Sequence, residues 1–338
     1  MSTTELTLDE IHSLARTALT AAGSSDEMAD AVADTVMRAE RDGSLSHGLF
    51  RIPGYVASLK SGKVNANADP KVETVTPVMI RCDGDNGYAP LVHARCLGTL
   101  AQAAKEYGIA MLSIVRSHHF AALWPETEAL AEQNLAAFTC VNYMPMVAPF
   151  GAKEKLYGSN PVSFAWPRPG KTPVVFDMAT AAMAMGEIQI AARDGHEVPP
   201  GTGLNKAGEP TTDPNEIAEG MLLPFGGYKG SHISMMVELL AGPLVGETVS
   251  FETARTDNAD GGPPAGGQFI LAMSPDITSG SPSWAGATNA FFDKLKSLGD
   301  DLRLPGERRH KNRLNTGPRS VNTELVGKIR ELAGLPGD

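Results

Sequence analysis

Apolar residues recur at helical spacing through the first forty positions. Ile11, Leu14, Ala15 and Ala18 form one stripe, and Met28, Val32 and Val36 a second. Steps of three and four residues put each set on one face of a helix. Both stripes follow capping-box spacing, Thr7-Leu8-Asp9-Glu10 and Ser24-Ser25-Asp26-Glu27, in which the hydroxyl accepts from a first-turn N–H and the Glu reaches back to the cap. Gly23 and Gly43 stand where these helices stop, because glycine closes a helix in the left-handed conformation without steric cost. The pattern predicts two antiparallel helices. A third opens at Ser46-His47-Gly48, and its Pro53 must lie in the first turn or kink it. Residues 63–70 read as a linker.

From Val72 the period shortens. Runs rich in β-branched residues at 72–75, 78–82, 110–115, 137–141, 174–178 and 269–273 alternate with helical stretches at 89–107, 122–134, 181–193 and 230–245. Such alternation predicts an α/β core. The Gly/Pro-rich excursion 199–214 is the kind of loop that covers a site or meets a partner. After Gly299 an Arg-rich turn, 304–310, leads to a last helix at 321–334, placed to return to the N-terminal ones. No internal repeat is present.

Composition narrows the classes. At 338 residues, 42% hydrophobic and 20% charged, the chain has ordinary globular values and length for two lobes. Its 29 basic and 39 acidic residues give a net charge of −10, which argues against nucleic-acid or acidic-membrane binding. Against that background Arg308, Arg309, His310, Lys311 and Arg313 concentrate positive charge. They read either as a solvated run or as a seat for a 2′-phosphate. Cys82, Cys96 and Cys140 are odd in number and widely spaced, so neither a disulfide framework nor a zinc site is expected, and a reducing cytoplasm fits. No leader pattern and no run of 18 apolar residues is present, so a soluble, unexported protein is expected.

Candidate chemistry begins at Ser46-His47-Gly48, with Arg51 four residues after the His and Tyr55 a turn beyond. An imidazole beside an orienting hydroxyl, with a guanidinium one helical turn away, makes an acid with a carboxylate clamp. The bland alternative is a helix start with a surface His. Ser117-His118-His119-Phe120-Ala121-Ala122-Leu123 and Asp177-Met178-Ala179-Thr180 each end a strand and open a helix, where backbone amides serve an anion or an ordinary cap. Pro224-Phe225-Gly226-Gly227-Tyr228-Lys229-Gly230 sets a Lys among flexible glycines, suiting phosphate or simply a loop. No G-x-G-x-x-G and no P-loop is present, so a dinucleotide would need another architecture. H-E-x-x-H and G-x-S-x-G are also missing, and the adjacent His118 and His119 do not converge on one ion.

Taken in order, Ser46-His47-Gly48, Arg51, Tyr55, Ser117-His118-His119-Phe120, Gly158-Ser159-Asn160-Pro161, Asp177-Met178-Ala179-Thr180 and Gly226-Gly227-Tyr228-Lys229-Gly230 resemble the malate/L-lactate dehydrogenase family of NAD(P)-dependent oxidoreductases that lack a Rossmann fold. The match runs from about residue 5 to residue 335. Its stretches 118–124, 191–195, 210–214 and 304–309 look most like the branch that reduces cyclic imino acids with NADPH. The alternative within the family is a dehydrogenase of an open-chain 2-hydroxy acid, with a 2-oxo acid as its partner substrate. A catalytically silent scaffold is the alternative outside it.

The resemblance implies an α/β (α+β) fold and a homodimer. The cofactor domain, residues 76–284, would carry a largely antiparallel mixed sheet. A helical domain would come from residues 1–75 joined by 285–338, with the site in the cleft between. It further implies that His47 donates the proton, with Ser46 and Glu187 completing a relay, and that Arg51 and Asn160 hold substrate. NADPH would be held by His119, Phe120, Ala121, Ala122 and Leu123, by Met178, Ala179 and Thr180, by Lys229 and Gly230, and by Leu304, Pro305, Gly306, Glu307, Arg308, Arg309 and His310. No metal, nucleic acid or membrane is expected to take part.

Overall fold

The computed structural model describes residues 2–255 and 257–336. The chain opens with β1 (Thr3–Leu6), α1 (Leu8–Ala21), α2 (Asp26–Asp42) and α3 (Ile52–Lys60). There follow β2 (Lys71–Thr76), β3 (Met79–Tyr88), α4 (Ala89–Tyr107), β4 (Ile109–His118), α5 (Trp124–Ala131), β5 (Ala136–Val141), β6 (Val162–Trp166) and β7 (Val174–Met178). Next come α6 (Met185–Asp194), β8 (Gly203–Leu204), β9 (Pro210–Thr211), α7 (Pro214–Glu219), β10 (Met221–Leu222), α8 (Tyr228–Ala241) and α9 (Ser250–Thr253). The chain ends with β11 (Ala265–Met273), α10 (Pro275–Thr278), α11 (Trp284–Lys296), α12 (Glu307–Arg313), β12 (Arg319–Asn322) and α13 (Thr323–Leu332).

Local chemistry explains the first helices. Thr7 Oγ1 accepts from Glu10 N at 3.2 Å while Thr7 N donates to Glu10 Oε2 at 2.8 Å, so the first capping box forms. The second does not form: Ser25, not Ser24, caps α2 by accepting from Met28 N, Glu27 plays no part in the cap, and Gly43 ends the helix at φ 75°. The buried stripes of α1 and α2 close on Leu49, Tyr55 and Tyr88, and on Val326 and Ile329 of α13. β1 and β12 pair antiparallel from Thr3↔Asn322 to Leu6↔Arg319, which ties the two ends of the chain together.

The large sheet runs β2-β3-β4-β11-β5-β6-β7, and only β3 and β4 are parallel, joined by the α4 crossover. Alternation along the strands sorts its two faces. Leu112, Ile114, Ile270 and Ala272 face Leu100 of α4 and Leu130 beyond it, while Cys140 and Phe269 face Val237 and Ala241 of α8. This is the largely antiparallel mixed sheet expected of a non-Rossmann cofactor domain.

Several boundaries differ from expectation. β2 belongs to the large sheet although it begins before residue 76, because its edge pairs with β3. α11 does not join the helical part: Phe292 packs on Val174 and Leu304, with Trp166 beside them, and the chain returns to the N-terminal helices only at α12, where Asn312 and Arg313 bond Asp42 of α2. The excursion 199–214 carries β8 and β9, which pair with β10 in a small sheet. The Arg-rich turn is the helix α12, and α6 starts at Met185, four residues after the expected start.

Gly54 sits where α3 meets the sheet. A Cβ there would lie 2.7 Å from Phe120 Cε1 and 2.9 Å from Gly261 O. Gly54→Ala is expected to cost about 1–3 kcal/mol by overpacking, read as a lower urea midpoint at unchanged slope. An unchanged midpoint would show that Phe120 and the 261 loop give way freely.

Candidate active site

Ser46, His47 and Arg51 lie on two successive 3-10 turns, Leu45–His47 and Leu49–Arg51, that precede α3, and not on an α-helix. The reason is Glu40. Its buried Oε1 accepts from Leu49 N at 2.8 Å, and a Cβ on Gly48 would stand 2.1 Å from that same oxygen. Gly48 therefore leaves room for Glu40 rather than for the imidazole. Pro53 falls in the first turn of α3, where its missing N–H costs nothing.

The dyad forms as expected. Ser46 Oγ is 3.1 Å from His47 Nδ1, and Arg51 Nε donates to Ser46 O at 2.8 Å. The guanidinium lies 4.4 Å from the Phe120 ring centroid, and Tyr55 meets the same ring edge-on at 5.4 Å. With Nε committed, the Nη edge of Arg51 remains for a planar carboxylate. Burial pushes His47 down to about 3, and the positive charge of Arg51 pushes the same way. The free protein therefore holds His47 neutral, whereas a carboxylate neighbour was expected to raise it.

Opposite this stretch lies the loop after β4. Its Leu123 and Trp124 N–H groups donate to Asp177 Oδ2 at 2.8 and 3.1 Å, so these two amides brace the loop against β7 and are not free for an anion. Burial raises Asp177 to about 6. His119 Nε2 lies 3.3 Å from Glu126 Oε1, and burial lowers its imidazole to about 4.

Three of the expected side chains have their polar atoms committed elsewhere. Glu187 is exposed in the first turn of α6, and its Oε2 accepts from Ala184 N at 3.3 Å. The late start of α6 turns it into a cap, and no hydrogen bond among the described residues joins it to Ser46 or His47. Asn160 is fully buried: its Nδ2 donates to Ser234 O at 3.1 Å and to Glu238 Oε1 at 2.7 Å. Its amide braces the 158–161 loop, leaving only backbone for a substrate. Thr180 is likewise turned inward, donating to Ser159 O at 3.1 Å and accepting from Ser234 Oγ at 2.9 Å.

The remaining cofactor candidates divide the same way. Lys229 and Met178 are exposed and Ala179 half-buried. Gly230 is buried where a Cβ would meet Phe225 O at 1.8 Å, so it serves close approach of the chain. Leu304 is core, the Pro305 carbonyl accepts from Val175 N at 3.1 Å, and Gly306 takes φ 94° to start α12. Glu307 pairs with Lys296 and accepts from Leu304 N at 3.1 Å. In the basic cluster, His310 Nε2 lies 2.8 Å from Glu128 Oε1. Arg313 spans the buried Asp42 and Glu128, and Arg309 Nη2 donates to Val175 O at 2.8 Å. Arg308 and Lys311 stay exposed. The Arg309 guanidinium lies 5.2 Å from the Trp124 ring, and the buried Arg309 Nε and Trp124 Nε1 have no hydrogen-bond partner among the described residues. This donor-rich wall, with two exposed cations above it, fits an anionic dinucleotide.

Glu40, Glu126 and Glu238 were not singled out in the sequence. For Glu40 and Glu238 a signal existed, since each continues the buried face of its helix four residues after Val36 and Ser234. Glu126 gathers His93, His119 and Gln268 from elements far apart in the chain, and no spacing announces that.

A family model described as malate/L-lactate dehydrogenase matches residues 6–325. The chain is 44% identical over 331 residues to Δ1-pyrroline-2-carboxylate reductase of Ancylobacter novellus, covering 97% of both chains. A crystal structure of Δ1-piperideine-2-carboxylate reductase from Pseudomonas syringae pv. tomato superposes with a TM-score of 0.92 at 42% identity, covering 97% of this chain and 99% of that one. A more distant relative, (2R)-3-sulfolactate dehydrogenase (NADP(+)) of Chromohalobacter salexigens, is 36% identical and covers 95% of this chain and 96% of its own.

Proposed function

The chain belongs to the malate/L-lactate dehydrogenase family of oxidoreductases, and on that premise we propose that it reduces the C=N bond of a cyclic imino acid, Δ1-piperideine-2-carboxylate or Δ1-pyrroline-2-carboxylate, with NADPH. The observation that carries this reading is the Arg51 guanidinium, anchored on Ser46 O beside the Ser46–His47 pair. A ring carboxylate docked on the Nη edge of Arg51 sets the adjacent C2 and ring nitrogen next to the imidazole. A bound reduced nicotinamide would supply a hydride to C2. His47 would give its proton to the ring nitrogen, which takes up the electron pair of the C=N π bond. Docking the carboxylate neutralises Arg51, which lifts one of the charges that hold His47 neutral. Phe120 and Tyr55 keep water from the guanidinium face. The names of the two imino-acid reductases above support this substrate class.

One observation favours a second reading, a dehydrogenase of an open-chain 2-hydroxy acid. A neutral His47 is in the base form, suited to taking a proton from an alcohol. Loss of reduced-nicotinamide absorbance with the two cyclic imino acids, beside pyruvate and oxaloacetate, decides between them. Turnover confined to the oxo acids would overturn the first reading. The family resemblance also implies a homodimer in the cytoplasm, to be checked by light scattering. Among the described residues no helix is long and apolar enough to cross a membrane.

NADPH is expected to be preferred over NADH by at least about tenfold, the worth of one hydrogen bond to a charged group. Because Arg309 and His310 are tied to Val175 and Glu128, the preference should rest on the exposed Arg308 and Lys311. Replacing both with Ala is expected to erase most of it without loss of stability. Equal kcat/KM for the two cofactors in the unaltered enzyme would refute this assignment.

A further inference from the structure

A second, buried set of titratable groups lies behind the site. Glu126, on the first turn of α5, is almost fully buried. Its Oε1 accepts from Gln268 Nε2 at 2.9 Å, lies 3.3 Å from His119 Nε2 and stands 3.9 Å from His93 Nε2. His93 Nε2 is 2.7 Å from Gln268 Oε1, and Gln268 Nε2 also donates to Thr139 Oγ1 at 3.0 Å. Thr139 Oγ1 in turn donates to Phe269 O at 2.9 Å.

The protons follow from this accounting. Thr139 has given its hydrogen to Phe269 O, so it can only accept from Gln268, which places the amide NH2 toward Thr139 and Glu126 and the amide oxygen toward His93. His93 must then carry its proton on Nε2. Glu126 as a carboxylate only accepts, so His119 carries its proton on Nε2 as well. The Gln268 amide, the Thr139 hydroxyl and both imidazole Nε2 atoms are all bonded, at the cost of burying a carboxylate and two imidazoles where apolar side chains would pack at least as well. The set reaches the site through His119. His119 stands next to Phe120, which lies under Arg51, and its Nδ1 makes no hydrogen bond among the described residues.

We propose that Glu126, itself fixed by Gln268 and His93, is the positioning residue for His119: it holds the Nε2–H tautomer and so presents Nδ1 as an acceptor to the carboxamide N–H of a nicotinamide ring. The inference rests on the reading of a nicotinamide cofactor at this site. It explains why a carboxylate is buried here at all. A neutral His119 accepts one hydrogen bond at one ring nitrogen, and the carboxamide NH2 is the one donor on the nicotinamide ring. Holding the carboxamide sets the rotation of the ring, and hence which face meets the substrate.

The first test needs no turnover. In protein labelled with 15N in its imidazoles, His119 is expected to show the Nε2–H tautomer throughout the neutral range. An Nδ1–H tautomer or an imidazolium overturns the proposal even if the enzyme proves to be an imino-acid reductase. The second test uses NADPH beside its 3-acetylpyridine analogue, in which the carboxamide NH2 is replaced by methyl. The unaltered enzyme is expected to favour NADPH by about tenfold in kcat/KM, and Glu126→Gln to bring the ratio near one, mainly through the KM of NADPH. A merely structural Glu126 would lower both cofactors alike and leave the ratio unchanged, which would overturn the assignment. If NADPH is not oxidised with any imino or oxo acid, the reading of the site fails, while the tautomer still tests the geometry. A stoichiometric metal ion whose removal by chelation abolishes activity would also overturn it, since His93, His119 and Glu126 offer three ligand atoms within 4.8 Å of one another.

Discussion

His47→Ala is expected to lower kcat by roughly 10²–10⁴, the usual contribution of a general acid, while NADPH binding stays near that of the unaltered enzyme. The expectation rests on position: His47 is hydrogen-bonded to Ser46, whose carbonyl anchors the carboxylate-binding Arg51. The pH profile adds a sign. Reduction uses the protonated imidazole, and in the free enzyme burial and Arg51 hold that group at about 3. Above that value each pH unit leaves about tenfold less of the acid form, so kcat/KM, which reports the free enzyme, falls through the neutral range. The pKa seen in kcat lies higher, because the bound carboxylate offsets Arg51. Substrate imines titrate too, so the comparison with His47→Ala isolates the enzyme's share: the slope it loses belongs to His47. A variant that keeps most of its kcat would remove His47 from the chemistry.

Much of this arrangement was legible in the chain. The helices α1 and α2, with their caps, follow from periodicity, because each buries a single stripe against neighbours that the same stripe recruits. The central strands were legible from β-branched runs. β6, Val162–Trp166, was not, since five residues between a proline-ended loop and another loop give too little alternation to count. The dyad was legible as residue types at close spacing. Its backbone was not, because the 3-10 turns are set by Glu40, a residue that looks like surface charge until its place on the buried face of α2 is counted. Family resemblance and geometry also part company in places. Asn160 and Glu187 lie in motifs that the resemblance places at the site, yet in this chain one amide is spent on Glu238 and one carboxylate on Ala184. Sequence motifs locate loops, whereas the direction of a side chain depends on buried partners such as Glu238 that lie elsewhere in the chain. The basic cluster is a further case: its five side chains read as one patch in the sequence, but buried acids on α2 and α5 claim two of them, His310 and Arg313.

Arg51→Lys is expected to raise the substrate KM by about ten- to a hundredfold although the charge is kept. Arg51 does two things at once: Nε holds Ser46 O, and the Nη edge is left for the carboxylate. One ammonium cannot do both. If it reaches Ser46, the substrate loses a two-point anchor; if it reaches the substrate, the Ser46–His47 turn loses its brace. Each loss removes a hydrogen bond to a charged group, about 1.5–3 kcal/mol, which converts to the range given. Lys also forfeits the flat stacking of a guanidinium on the Phe120 ring, where the two now lie 4.4 Å apart. Arg51→Met then separates anchoring from the electrostatic effect. It loses the anchor as Lys does, but it also removes the charge that helps to hold His47 neutral, so the pKa read from kcat/KM rises in Met and stays low in Lys. The two variants should therefore share a raised KM and differ in pH profile. A KM unchanged in Arg51→Lys would make Arg51 a structural brace and move the carboxylate anchor elsewhere, with the exposed Lys229 the first candidate.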